Sequence, residues 1–491
     1  MIGAAVIAAA FMGDSAYADD IVRIGIADNV QSAEFGAGTF EVGYDDGNKN
    51  FISCGEINGD DIEVKVLNGT FSEKESGYSD YSKVAKDCGE NEYPAMINGK
   101  WSIYSSGGDV KLTDCAVGVY DEGELVMIAN SDDDLQIKRT GKNFTEVDGV
   151  QYRGVIETYR NGEAMNIINF IDVEEYLYGV LPSEMTSSWS KEALKAQAVA
   201  ARTYCMKNLG THEQGGYDLC AQVHCQAYKG IELEDERSTK AVEDTEGEMI
   251  YYQGELINAM YFSSSGGYTA DSEDVLDAEI PYLKGVEDKY EKECEEWERE
   301  FTLSQLTQMT YGIGGVMGLL AKTDEETGRI NEITLVGVND DKTIKKEQIR
   351  TFFSAFGGML QSRNFTVNIG GSDVKYDNDD GSTIYVIGNG PKKSADIEEI
   401  YLENGEKISK NHEIKVIGNT GERYISAASG KNKKSKTDNT ANNVSPDVII
   451  LKGRGMGHGL GMSQYGAKGM AESGFDYKEI LEYYYTGVKV K

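Results

Sequence analysis

The run Ile21-Val22-Arg23-Ile24-Gly25-Ile26 alternates its polarity along the chain as a half-buried strand does. Asp46-Gly47 and Asn58-Gly59 stand between apolar runs as hairpin signals, so residues 19 to about 150 read as β-rich. Ser-, Asp- and Gly-rich pieces near 75–90 and 130–148 read as loops. From Val155 to Ile171 the pattern predicts a strand pair that turns at Asn161-Gly162. The period then becomes helical. Asp172 is placed to cap a helix running through Glu174 to Leu181, which Pro182 stops. Ser190 is a good cap for a second helix, with Glu192 in its first turn and Gly210 as its stop. Ala193, Ala196, Ala198, Ala200 and Ala201 make that helix small on several faces, so it can be buried with its neighbours very close.

Residues 245–290 read as strands, a Ser/Gly loop and a Pro-containing segment. Residues 300–366 read as α/β, with Ile333 to Val336 as a strand and Lys346 to Phe356 as a helix. Residues 371–446 read as a peripheral insertion, with a turn signal at Asp380-Gly381 and a low-complexity tail from Ser426 to Ser445. Residues 447–491 return to a Gly-rich loop and a closing helix, Tyr477 to Tyr485. The expected fold is α+β: a mixed, β-rich catalytic domain with a buried Ala-rich helix. It would run over 151–370 and 447–491, with a β-rich region of unknown role at 19–150.

Ile2 to Met12 form an unbroken apolar stretch, followed by Ala16-Tyr17-Ala18 as a small-x-small cleavage site. Residues 1–18 therefore read as a secretion signal, too short to span a bilayer, which predicts a secreted or wall-associated protein. The 491 residues carry a formal net charge of −35, which excludes binding nucleic acid or anionic lipid through a general field. A neutral glycan would need no basic groove. The basic run Lys431, Lys433, Lys434 and Lys436 sits in polar sequence and reads as a solvated loop. Seven cysteines in so long a chain are no disulfide scaffold, so the core must hold the fold.

Three stretches carry candidate chemistry. In Tyr178-Gly-Val-Leu-Pro-Ser-Glu-Met185, Glu184 follows a helix and faces the Ala-rich helix. A carboxyl partly desolvated at such a junction can hold a proton and deliver it to a leaving oxygen. Spacing alone leaves a capping role for this residue equally open. In Gly453-Arg-Gly-Met-Gly-His-Gly-Leu-Gly-Met-Ser-Gln-Tyr-Gly466, six glycines in fourteen residues exclude an ordinary helix or strand. The loop lacks the Lys-Ser/Thr of a phosphate cradle. His458, Ser463, Gln464 and Tyr465 offer donors and acceptors suited to sugar hydroxyls and acetamides; a tight loop packed on the core would read the same way. Tyr261-Phe-Ser-Ser-Ser-Gly-Gly267 is hydroxyl-rich, and no positioned base for a serine nucleophile is recognisable. Tyr261, Ser263, Ser264, Ser265 and, further on, Tyr282 are therefore candidates for substrate hydrogen bonding.

Val180 to Met185 with Ala196 to Tyr204, Ser264 to Gly267 with Pro281 to Leu283, and Gly453 to Gly466 with Gly469-Met-Ala471 and Tyr484 to Gly487 together resemble the stage II sporulation protein D family, also called amidase-enhancer proteins. Order and spacing agree as well. The resemblance is strong over 155–290 and 447–491, weaker over 300–366, and absent elsewhere. It implies a lytic transglycosylase acting on peptidoglycan glycan strands, with Glu184 at the catalytic glutamate. One acid would protonate the glycosidic oxygen after an N-acetylmuramic residue. The same group would then help that sugar's 6-hydroxyl attack its own anomeric carbon, giving a 1,6-anhydro end without the second carboxylate of most hydrolases. The family's other name implies an alternative, a glycan-binding protein that stimulates a cell-wall amidase.

Cys220, His224 and Cys225, with His212 eight residues before Cys220, are the most metal-like cluster. Thiolate and imidazole are preferred zinc ligands, and four of them would make a closed structural Zn2+ site. The resembled family includes members that bind zinc here. An oxidising exterior equally allows a Cys220–Cys225 disulfide. Asp377 to Gly381 suggests a calcium loop, but Tyr376 occupies its first ligand position, so a turn is expected.

Overall fold

The computed structural model describes residues 21–97, 99–111, 116–130, 135–324, 326–369 and 448–491, with short strands at 375–377, 382–386, 400–401, 407–408, 413–418 and 421–426. The signal reading at 1–18, the basic run at 431–436, the Asp380-Gly381 turn and the tail beyond Ser426 lie outside the described residues. No helix among the described residues is long and apolar enough to cross a membrane. The fold is mixed α+β and β-rich, and the chain divides into two units, residues 1–249 and 250–491.

The first unit is built on a twelve-stranded sheet. At one end of it, Leu219–Cys220, Ile21–Val30, Ala164–Asp172 and Val155–Asn161 lie side by side. The expected hairpin at Asn161-Gly162 is present, with Asn161 paired to Ala164. Ile21–Val30 pairs antiparallel with Ala164–Asp172 and parallel with Leu219–Cys220, so this early strand lies inside the sheet that carries the later motifs. Three turn and loop expectations differ. Asn58-Gly59 does not turn but lies within the strand Phe51–Val66, where the pairing shifts between Gly36 and Gly38 as a bulge. Residues near 75–90 complete the strand Thr70–Tyr78 and form helix α1, Tyr81–Asp87, which Asp80 caps by accepting from the Lys83 N–H. Within 130–148, Leu135–Arg139 pairs with the strands on both sides of it, so backbone pairing outweighs its polar composition.

α2 (Val173–Glu184) packs on the strand Ala164–Asp172, and α3 (Lys191–Lys207) and α4 (Glu236–Glu243) pack on α2 and on each other. Asp172 caps α2 as expected, its carboxylate accepting from the Glu174 and Glu175 N–H groups. Pro182 does not stop the helix. It sits in the last turn, where a missing N–H removes a single bond, and Met185 N–H still closes that turn onto Leu181 O at 2.9 Å. Glu184 is therefore the last residue of α2 and not the first residue beyond it. Ser190 heads α3 without a side-chain capping bond. The five alanines named above are all buried, as their size allows.

The second unit contains α5 (Glu273–Leu276), α6 (Leu303–Met309), α7 (Gln348–Phe352), α8 (Gln464–Glu472) and α9 (Tyr477–Tyr484). Its core gathers Trp297, Phe301, Leu319, Ile333, Phe353, Phe365 and Leu451. Val448–Arg454 is the middle strand between Glu296–Thr302 and Phe365–Ile369, and it runs straight into the Gly-rich loop. Ser382–Val386, from the segment expected as an insertion, pairs with Val316–Thr323 and extends that sheet.

Candidate active site and metal cluster

The C-terminal end of α2 is fixed from three sides. Tyr176, Leu177, Val180 and Leu181 are buried against the rest of the unit. Gly179 lets the chain at 228–230 come close: a Cβ there would lie 2.5 Å from Gly230 O and 2.6 Å from the Tyr228 ring. Arg202, in the middle of α3, grips Glu174 with two bonds of 2.6 Å while almost wholly buried. Charge-assisted bidentate pairs of this kind are among the strongest hydrogen bonds available to a side chain. Buried Gln226 donates to Ala201 O at 3.1 Å and accepts from the Tyr176 hydroxyl at 3.4 Å, tying its loop to both helices.

Glu184 is half-buried, and the backbone N–H of Ala227 donates to its Oε1 at 2.8 Å. The phenol of Tyr204 is pushed up to about 12, chiefly by burial, with the nearby Cys225, Cys220, Cys205 and Glu184 adding to the rise. Tyr204 thus stays a neutral O–H donor over the whole working range, beside both the carboxylate and the thiols.

Two residues before Ala227 the metal-like cluster ends, at Cys225. The ligand atoms of His212, Cys220, His224 and Cys225 all lie within 4.8 Å of one another. His212 Nε2 is 3.3 Å from Cys225 Sγ, and His224 Nδ1 is 3.4 Å from Cys225 Sγ and 3.8 Å from Cys220 Sγ. A tetrahedron with zinc–nitrogen and zinc–sulfur bonds of ordinary length has edges of about 3.3–3.8 Å, which these three distances match, and two thiols with two imidazoles are donors of the kind that ion takes. Cys220 and Cys225 are free thiols in this structure. Cys220 is held by the parallel pairing of its strand to Ile24 and Gly25. The His212 ring stacks on Tyr217, centroids 5.0 Å apart, and the Tyr217 hydroxyl donates to Asp28 at 3.0 Å.

In the second unit the structure brings the Ser-Ser-Gly-Gly stretch and the Gly-rich loop together. Tyr261–Phe262 pairs parallel with Met462–Ser463, and Ser264 exchanges backbone bonds with Met456 at 3.0 and 2.8 Å. The glycines serve close approach and left-handed backbone at once. At Gly461 φ is +73°, and a Cβ would lie 2.1 Å from Met260 O. The hydroxyl-rich loop encloses the Glu291 carboxylate: the Ser265 hydroxyl donates to it at 2.7 Å, and the N–H groups of Ser265, Gly266 and Gly267 donate at 3.1, 2.8 and 3.2 Å. Ser264 and Ser265 are buried, and so is Ser463, which caps α8 by accepting from the Gly466 N–H. His458 accepts from the Leu460 N–H through Nδ1 at 3.0 Å; burial and the nearby Arg350 and Arg329 push it down to about 4, so it is neutral near pH 7. The Tyr282 hydroxyl accepts from the Asn258 N–H at 3.0 Å, Ser263 O accepts from the Tyr465 N–H, and Gln464 is buried.

Arg202, Tyr204, Gln226, Ala227 and Glu291 were not singled out from sequence. Arg202 left a signal, since it is one charge within an Ala-rich run. Glu291 stands among many acidic neighbours, and Ala227 acts through its backbone, so neither is marked.

The first unit is thus a mixed α+β scaffold that ends a helix on a half-buried glutamate, held by a loop carrying a two-cysteine, two-histidine cluster. Residues 161–252, which enclose that glutamate and the whole cluster, match the family model described as stage II sporulation protein. The amidase enhancer of Bacillus subtilis is 31% identical over 63% of this chain, an alignment covering 39% of that protein's length. Stage II sporulation protein D of the same organism is 26% identical over 68% of this chain and 78% of its own. An uncharacterized protein of Brachyspira hyodysenteriae is 29% identical over 76% of this chain and 78% of its own. Residues 161–252 therefore carry a stage II sporulation protein domain, and the chain around them is similar to stage II sporulation protein D and to the amidase enhancer.

Proposed function

We propose that this protein is a peptidoglycan lytic transglycosylase that acts outside the cytoplasm, with Glu184 as acid and then base. The observation that carries this reading is the setting of Glu184. It is the last residue of α2, half-buried, with its Oε1 turned to the loop at 227. The Ala227 N–H meets the carboxylate that forms once the proton has gone to the glycosidic oxygen. The muramic 6-hydroxyl then gives its proton to Glu184 as it closes on the anomeric carbon, which leaves a 1,6-anhydro end. The phenol of Tyr204, kept protonated near pH 7 chiefly by burial, adds no charge near the carboxylate. Tyr261, Ser263, Ser264, Ser265, Tyr282, His458, Ser463, Gln464 and Tyr465 belong to this reading as glycan-binding residues, the buried ones by shaping the loop that others present.

His212, Cys220, His224 and Cys225 are proposed to hold one structural zinc ion. When bound, it would cross-link the loop at 212–225 and leave no open coordination position. Residues 225–227 then place the Ala227 N–H on Glu184, so these ligands act on the reaction through position.

Incubating the purified protein with glycan strands and weighing the products by mass spectrometry tests the reading. Anhydro-muramic ends support it; intact strands after prolonged incubation contradict it. The relative named amidase enhancer favours one second reading, a glycan-binding protein that stimulates an amidase. Stimulation that survives in Glu184→Gln, with no anhydro product from the wild type, would support that reading instead.

A further inference from the structure

Beyond Glu184 the chain turns tightly, Trp189 N–H closing onto Thr186 O at 2.9 Å, before α3 begins at Lys191. Between this turn, the start of α3 and α4 lies a cleft of about 340 Å³, lined by Trp189, Lys191, Leu194, Glu236, Arg237 and Lys240. That volume is at the small end of ligand sites, which run from about 300 to 1,000 Å³. It suits one sugar ring with its acetamide and not a folded partner. Buried Leu194 and the Trp189 indole supply its apolar surface.

The polar rim is held in advance. Lys191 and Lys240 both bind Asp244, at 2.7 and 3.0 Å, and Arg237 holds Asp235 with two bonds of 2.9 Å. Each ammonium carries three donors and the guanidinium five, so these pairs leave N–H groups over for a ligand. Lys195 also binds Asp244 and Glu243 also binds Lys240, both at 3.3 Å, so Lys191, Lys195, Arg237 and Lys240 face Asp235, Glu236, Glu243 and Asp244 and no net charge selects an ion. Apolar surface flanked by fixed donors and acceptors of balanced charge matches a neutral, hydroxylated ring. Glu184 and Trp189 are five positions apart, so their backbones stand within about 17 Å, the reach of a few linked sugars.

We propose that this cleft is a subsite for an N-acetylated sugar of a glycan whose scissile bond lies at Glu184. The assignment rests on the glycan-cleaving reading of that residue. Trp189 and Arg237 are its principal contacts, and α4 forms one wall.

The test uses the full chain carrying Glu184→Gln, so that binding is read without cleavage, and calorimetric titration with the β-1,4 tetramer of N-acetylglucosamine. Maltotetraose, which lacks acetamides, is the control. The parent should prefer the N-acetylated tetramer. Trp189→Ala should weaken it roughly tenfold or more, as truncation of a central aromatic anchor does, and Arg237→Ala, on the exposed rim, should weaken it severalfold. Trp189→Phe should recover part of the loss, which separates ring contact from misfolding. A parent that does not bind the tetramer, or variants that bind it as the parent does, would overturn the subsite. These outcomes are independent of whether the wild-type protein cleaves glycan, so the subsite and the catalytic reading fail separately.

Discussion

The end of α2 and the Ser-Ser-Gly-Gly loop of the second unit are both polar segments rich in motif residues, and their polar groups are used in different ways. In the loop, four donors from Ser265, Gly266 and Gly267 are spent on Glu291, Ser463 caps a helix, and His458 is held neutral. At the end of α2 the supporting bonds go to other residues: Arg202 holds Glu174, and Gln226 holds Tyr176 and Ala201. Glu184 itself stays half-buried, and the Ala227 N–H reaches it from the loop. The density of donors in a sequence therefore does not locate chemistry. In the proposed reading, the carboxylate that reacts is the one whose neighbours fix the backbone around it without burying it.

The sharpest way to break this contrast is to remove metal. If the first unit depends on the Cys/His cluster and the second on internal hydrogen bonds, a strong chelator should greatly raise hydrogen exchange over 210–228 and lower the melting temperature. Exchange over 261–267 and 455–463 should change little. Equal loosening of both stretches, or of neither, would remove the distinction.

Next in size is Glu174→Ala. It leaves the Arg202 guanidinium, 1% exposed, without its carboxylate, which should cost about 3–5 kcal/mol in urea unfolding. A loss below about 1 kcal/mol would mean that Arg202 finds another partner and that the helix end is not fixed as described.

In the second unit, Ser265→Ala removes one charge-assisted bond to Glu291 and should cost about 1.5–3 kcal/mol by the same measurement. An unchanged midpoint would show that the loop does not depend on this bond and that Ser265 does not serve the glycan by shaping the loop.

The smallest effect is a pH dependence. His458 has its folded pKa pushed down from 6.5 to about 4, so the unfolded chain takes up the proton first. Its neutral form therefore contributes stability that is present above pH 6.5 and declines as the pH falls toward 4. Stability measured across that window should fall less steeply in His458→Gln than in the wild type; parallel curves would show that another group is responsible.

Much of this arrangement was legible in the sequence where local rules act. Asp172 caps α2, Asn161-Gly162 turns a hairpin, five alanines allow the close burial of α3, and the glycines of 455–461 take left-handed or crowded positions. Long-range effects were not legible. Pro182 forecast a helix end because the rule is local, but the packing of Val180 and Leu181 carries α2 one turn further and makes Glu184 its last residue. The pairing of Ile21–Val30 beside Leu219–Cys220 joins segments nearly two hundred residues apart, which no periodicity could reveal. The cluster of His212, Cys220, His224 and Cys225 was visible from residue type and spacing. Its nearness to Glu184 was not, because a backbone N–H makes that link.

The most direct test of the central claim is the product mixture from glycan strands incubated with wild-type protein and with Glu184→Gln, compared by mass spectrometry at equal folded concentration. The amide keeps the shape of the side chain and removes its titratable proton. The account predicts that the wild type releases 1,6-anhydro-muramic ends and that the variant releases them about 10²–10⁴ times more slowly while still binding the strands. Release of anhydro ends by Glu184→Gln at the wild-type rate would contradict it.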